Sequence, residues 1–141
     1  MGINLEKGQR ISLEKVAPGL TKLMCGLGWD VAKKTSGGFF GALKNAPNCD
    51  LDASVICLDA NGKIRDKANL VYFGNLSHKS GAITHLGDNL TGAGKGDDEQ
   101  IVIDLARLPK EITKLVFTVN IYKCIARKQD FAGVQNAFVR L

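Results

Sequence analysis

The side chains best suited to chemistry in this sequence are acidic and clustered. Of its fourteen Asp and Glu residues, seven fall in three short groups. Asp30 closes Gly26-Leu27-Gly28-Trp29-Asp30, Asp50 and Asp52 share Cys49-Asp50-Leu51-Asp52-Ala53-Ser54, and Asp88, Asp97, Asp98 and Glu99 surround a stretch with Gly92, Gly94 and Gly96. Each group sits where an apolar, strand-like run meets a loop. If these loops converge at one end of a β-sandwich, as end loops do, the carboxylates repel one another unless a cation lies among them. Calcium accepts about six to eight oxygens from carboxylates, side-chain amides and backbone carbonyls in a tolerant geometry, whereas magnesium demands a stricter octahedron and keeps its waters. Alternating glycines free the backbone to turn carbonyls inward. The spacing is not the helix-flanked acidic loop of an EF-hand. Gly-Asp-Asn and Gly-Asp-Asp are also ordinary turn sequences in which Asp and Asn bond their own backbone. The residue pattern alone leaves a metal cage and plain turn chemistry equally open.

Other chemistries find less support. His78 and His85 have too few nitrogen or sulfur partners in view for zinc, and read as surface or sheet residues. Ser54 and Ser77 have no evident His-Asp pairing. Paired carboxylates serve acid–base catalysis, but a cage accounts better for so many of them in loops. Trp29, beside Asp30, reads as a plug for the end of the sandwich.

The elements that must position these acids read as strands. The segments 10–14, 22–27, 53–58, 69–73, 101–105, 114–121 and 137–141 are β-patterned, and between them lie turn signals such as Pro18-Gly19, Asn61-Gly62, Ser80-Gly81 and Gly87-Asp88-Asn89. That spacing predicts an all-β, two-sheet β-sandwich. Asn61-Gly62 suits a tight hairpin-type turn, because both residues accept positive φ. One or two short helical turns are expected, at 105–111, ended by Pro109, and at 128–136. The irregular segments 31–49, with Phe39-Phe40, and 86–99 are long enough to be functional or disordered. With 141 residues, 45% of them hydrophobic, the chain forms one core and one domain, 1–141.

The formal charge of +5 raises nucleic acid as a partner, but the Lys and Arg residues are scattered and no aromatic-basic ribbon appears, so no specific nucleic-acid contact is expected. No apolar run approaches the roughly 20 residues that span a bilayer, and Met1-Gly2-Ile3-Asn4-Leu5-Glu6 shows no charged region leading into an apolar stretch, so no secretory leader is expected. Gly2 suggests myristoylation, but Glu6 stands where that motif wants Ser or Thr. Cys25, Cys49, Cys57 and Cys124 form no Cys-x-x-Cys pair. Buried free thiols in a reducing, cytoplasmic setting are expected.

Taken together, the motifs resemble the tellurium-resistance TerD family. They are Leu5-Glu6-Lys7-Gly8 with Ile11-Ser12-Leu13, Ala17-Pro18-Gly19-Leu20, Gly26-Leu27-Gly28-Trp29-Asp30, Asp50-Leu51-Asp52-Ala53-Ser54, Phe73-Gly74-Asn75-Leu76, Gly87-Asp88-Asn89-Leu90-Thr91-Gly92, Gly96-Asp97-Asp98-Glu99 and Asn136-Ala137-Phe138-Val139-Arg140. The resemblance implies a calcium-binding sandwich, usually with two Ca2+ ions, acting as a non-enzymatic binding or scaffolding module in the stress response. It implies the ligands Asp30, Asp50, Asp52, Asn75, Asp88, Asn89, Asp97, Asp98 and Glu99, and other stress-response proteins as calcium-dependent partners. Two departures stand out. Family domains continue for several strands past the Asn136-to-Arg140 motif, so the sheet is expected to end in an unpaired edge that invites a dimer or strand addition. The 31–49 insertion falls where the family varies. Two alternatives remain: a metal-dependent hydrolase, and a small-ligand binder of the cyclic-nucleotide type, although no Gly-rich phosphate loop precedes a helix.

Overall fold

The structure, a computed structural model, describes residues 6–31, 49–87 and 96–141. Among these, seven strands form two antiparallel sheets: β1 (Lys22–Val31), β2 (Leu51–Leu58), β3 (Leu70–Val71), β4 (Ile83–His85), β5 (Glu99–Asp104), β6 (Lys114–Ile121) and β7 (Val134–Arg140). One sheet runs β4-β5-β1-β7 and the other β3-β2-β6. This is the expected two-sheet, mostly β architecture. Most of the Phe39-Phe40 insertion and the Gly92-to-Gly94 run lie outside the described residues.

Period-two alternation builds the core. Cys25, Leu27 and Trp29 of β1, Leu51, Ala53, Val55 and Cys57 of β2, Val71 of β3, Ile83 of β4, Ile101 and Ile103 of β5 and Ile121 of β6 are all buried, with Leu23, Leu115, Phe117 and Val119 packed against them. Fully burying one such aliphatic side chain contributes about 1.5–3 kcal/mol. Trp29 belongs to this core and donates its indole N–H to the carbonyl of Cys49 (3.1 Å). The inward stripes of β4 and β5 each end on a polar residue. His85 follows Ile83 by two positions, and Glu99 precedes Ile101 by two.

Several local expectations are corrected. Residues 10–14 are not a strand; Leu13–Val16 forms a single helical turn, α1. The turn at Asn61-Gly62 is tight, with Gly62 at φ 71° and the Asp59 carboxylate accepting from the N–H groups of Asn61 (2.8 Å) and Lys63 (3.0 Å). It does not close a two-residue hairpin, because a 3-10 turn at Lys67–Asn69 intervenes before β3. The expected helical turns at 105–111 and 128–136 are 3-10 turns, at Leu105–Arg107 and Phe131–Gly133; the second is shorter than expected, because β7 already starts at Val134, and a further four-residue turn, α2 (Cys124–Arg127), precedes it. Sheet pairing with β1 overrides the weak three-residue spacing of Phe131 and Val134.

β7 forms the edge of its sheet and is largely exposed, including Phe138 and Val139. Two devices hold it on β1. Its pairing shifts register between Gly28↔Phe138 and Asp30↔Gln135, and the extra residue includes Asn136 at φ 49°, a left-handed conformation that Asn tolerates better than most residues. Gly28 supplies the second: a Cβ there would meet the Phe138 ring and stand 2.9 Å from the Gly96 carbonyl. Gly28→Ala should therefore destabilise the fold by about 1–3 kcal/mol, as overpacking does. A double-mutant cycle with Phe138→Ala in denaturant unfolding checks this, since the smaller residue should recover part of the loss; additive losses would contradict the packing account.

Candidate metal site

The acidic clusters separate into an inner group and an outer group. Asp50, Asp52 and Glu99 are inner, with only 3%, 3% and 1% of their surfaces exposed. Glu99 reaches from β5 to the other sheet, where one carboxylate oxygen accepts the backbone N–H of Ala53 (2.7 Å). Asp52 faces Asn120 in register across β2 and β6 and accepts its side-chain amide (3.0 Å). Asp50 lies just before β2, pinned by the Tyr122 N–H donating to its backbone carbonyl (2.8 Å). Its Oδ2 is 3.5 Å from a guanidinium nitrogen of Arg127, and its Oδ1 is buried with no hydrogen-bond partner among the described residues.

The sequence alone did not single out His85 as a member of this group. Its side chain is fully buried, with Nε2 3.5 Å from a Glu99 carboxylate oxygen. Nδ1 accepts the Gly87 N–H (3.1 Å), so in the neutral ring the proton sits on Nε2 and faces the acid. The signal was its place two residues beyond Ile83 on an inward stripe. His78, also buried, is engaged elsewhere: Nδ1 pairs with Ser80 Oγ (2.8 Å) and Nε2 with Asn69 Oδ1 (3.0 Å), which ties the turn after β3.

The inner acids disturb one another. Burial pushes the Asp52 carboxyl up to about 6, with the Glu99 and Asp50 charges adding to the push and Asn120 opposing it. Burial also raises Asp50, while the nearby Arg127 pulls the other way. Low dielectric penalises each charge, and like neighbours increase the penalty.

The outer acids have protein partners. Asp30 accepts the Asn136 amide (2.7 Å), and Asp98 accepts the Trp29 backbone N–H (2.9 Å). Asp97 accepts two hydrogen bonds from Arg140 (2.6 and 2.7 Å) and one from Gln100 (2.9 Å). The Arg140 bonds hold its carboxyl below the usual range. Asn75 donates its amide to the Leu70 carbonyl (2.7 Å) and closes a turn with Tyr72. Asp88 and Asn89 lie outside the described residues. Among the described residues, no three His, Cys, Asp or Glu side chains already stand as a formed metal cage. Any ion would have to draw the inner carboxylates closer or recruit further oxygens; the unpartnered Asp50 oxygen is the atom that suits one.

The chain matches the TerD domain model over residues 1–141. It is 59% identical to "Stress response protein SCP2" of Bacillus subtilis (strain 168), covering all of this chain and 71% of that protein. It is 43% identical to "Tellurium resistance protein TerD" of Serratia marcescens, covering 68% of it. Among solved structures it resembles the crystal structure of SAV2460, titled as a protein of unknown function, with a TM-score of 0.67 and 27% identity over 86% of this chain and 65% of that one. The chain thus spans about two thirds of the length of these relatives.

Asp52 gives a pH test on metal-free protein. Above its folded-state value the buried carboxylate is ionised and costs stability; as pH falls, the folded state takes up a proton before the unfolded state does, and the cost disappears. Asp52→Asn should therefore melt higher than the unsubstituted protein near neutral pH, by on the order of 2 kcal/mol, and the gap should close toward about pH 4. A gap of constant size across that window in thermal unfolding would contradict a charged, buried Asp52.

Proposed function

The chain belongs to the TerD domain family, whose members include proteins named for stress response and tellurium resistance, and on that premise we propose that it is a calcium-binding, non-enzymatic module of the stress response. The observation that carries the proposal is the inner group: three buried carboxylates, with one buried oxygen that has no hydrogen bond among the described residues. Asp50, Asp52 and Glu99 would hold the ion. Asp98, with Asp88 and Asn89, would add donors from the glycine-rich loop and provide for a second ion. Such an all-oxygen set suits a hard cation. When bound, calcium supplies charge compensation that the protein's own donors provide only in part.

Binding is favoured over catalysis by how the other groups are used. Both histidines hold local structure or face a carboxylate, and Ser80 Oγ, beside His78, also accepts the Ala82 N–H (3.1 Å). Ordering of loops around an ion would then present a surface to partner proteins. A cytoplasmic setting belongs to the same proposal, supported by four free cysteines. Among the described residues no helix is long and apolar enough to cross a membrane.

Titration calorimetry of chelator-treated protein, with calcium and then magnesium, tests this directly. Saturable calcium binding with a weak magnesium response is expected, and calcium should raise the melting temperature in a dose-dependent way, by about 2.7 kcal/mol of stability at a hundred times Kd. Asp52→Asn and Glu99→Gln should each weaken calcium by more than about tenfold, or 1.4 kcal/mol. Absence of both heat and thermal shift would sink the calcium reading.

A further inference from the structure

We infer that Arg127 is the resident counter-cation of the inner carboxylate group, a built-in competitor that sets how tightly the group takes a divalent ion. The inference rests on the calcium reading above and names the residue that tunes it. Arg127 is bound to Asp50 only loosely: NH1 stands 3.5 Å from Oδ2, with the arginine side chain 37% exposed and the Asp50 side chain 4% exposed. One partner is therefore deeply buried while the other keeps much of its water. Such a pair neutralises the acid without locking the base in place.

The guanidinium has a second seat. Its central carbon lies over the Tyr122 ring, 5.3 Å from the centroid, and Lys123 Nζ lies 5.2 Å from the same ring. Tyr122 in turn packs edge-on against Phe73 at 5.7 Å. Leaving Asp50 would not strand Arg127 in solvent, because cation–π contact with Tyr122 persists. α2 is one turn bounded by Lys123 at φ 51° and Lys128 at φ 52°, both left-handed and neither glycine, so two uncommon joints bracket the residue that touches Asp50. Tyr122 fixes the Asp50 backbone, so the acid stays while the arginine shifts.

A divalent ion on Asp50 would meet this positive charge at close range. Binding must then either displace Arg127 toward Tyr122 or bear the repulsion. Both routes weaken calcium, which makes the sign of the effect unusual: removing a contact residue should strengthen binding.

The experiment is calorimetric titration of the full chain with calcium, comparing the unsubstituted protein with Arg127→Gln and Arg127→Lys at one ionic strength. Arg127→Gln should bind about five- to tenfold more tightly, and Arg127→Lys, which keeps the charge, should stay within about twofold of the unsubstituted protein. Equal or weaker calcium binding by Arg127→Gln overturns the inference. So does tightening by both variants, because the charge would then not be the cause. If the glutamine variant fails to fold, Arg127→Met, which retains a long stem against Tyr122, takes its place under the same criteria. A flat titration of the unsubstituted protein is the failure of the calcium reading itself, and is recognisable because it precedes any comparison of variants.

Discussion

Three carboxylates at the end of an apolar core set the terms for the rest of this structure. Charge in a low-dielectric interior is costly unless paired and hydrogen-bonded. Here each acid meets a different donor: the Ala53 N–H for Glu99, the Asn120 amide for Asp52, the Arg127 guanidinium for Asp50. Two of these donors come from the β3-β2-β6 sheet and the third from α2, while Glu99 itself comes from the other sheet. Of these bonds, the one from the Ala53 N–H to Glu99 crosses from one sheet to the other. The compensation is incomplete, since burial and mutual repulsion push Asp52 up to about 6.

The outer acids do a different job with the same residue types. Asp97 with Arg140, and Asp30 with Asn136, each tie β7 to its sheet. Gly26 leaves the space that the Asp97 carboxylate occupies, and Gly28 leaves the space for Phe138. The glycines of β1 are thus required by close approach rather than by an unusual φ. An edge strand with little burial of its own is held by charge, an amide and one aromatic ring, which are interactions a neighbouring ion or partner readily perturbs.

A cation at the inner group would act on both sheets together, because its ligands come from the β2 and β5 sides. In the proposed binding module, an ion would act by changing the balance of repulsion among these carboxylates. The relatives are named for stress response and tellurium resistance.

Periodicity determined much of what was legible in the sequence. The run 114–121 and the alternating 53–58 were readable as strands because one face of each had to be apolar, and the clustering of Asp50, Asp52, Asp98 and Glu99 could be seen without coordinates. Residues 10–14 depart from the strand expected there, and the helical turn expected across 128–136 is confined to 131–133, because short segments follow their sheet or turn context rather than their own propensity. Tertiary structure alone decided which acids are buried. Asp50 and Asp97 look alike in sequence and both carboxylates are buried, yet one meets Arg127 only at 3.5 Å and the other is clasped by Arg140. His85 joined the group, and Asn75 was committed to a turn, for the same reason: burial and partner choice depend on which residues distant in the chain come to lie within a few ångströms, and a local pattern carries no record of that.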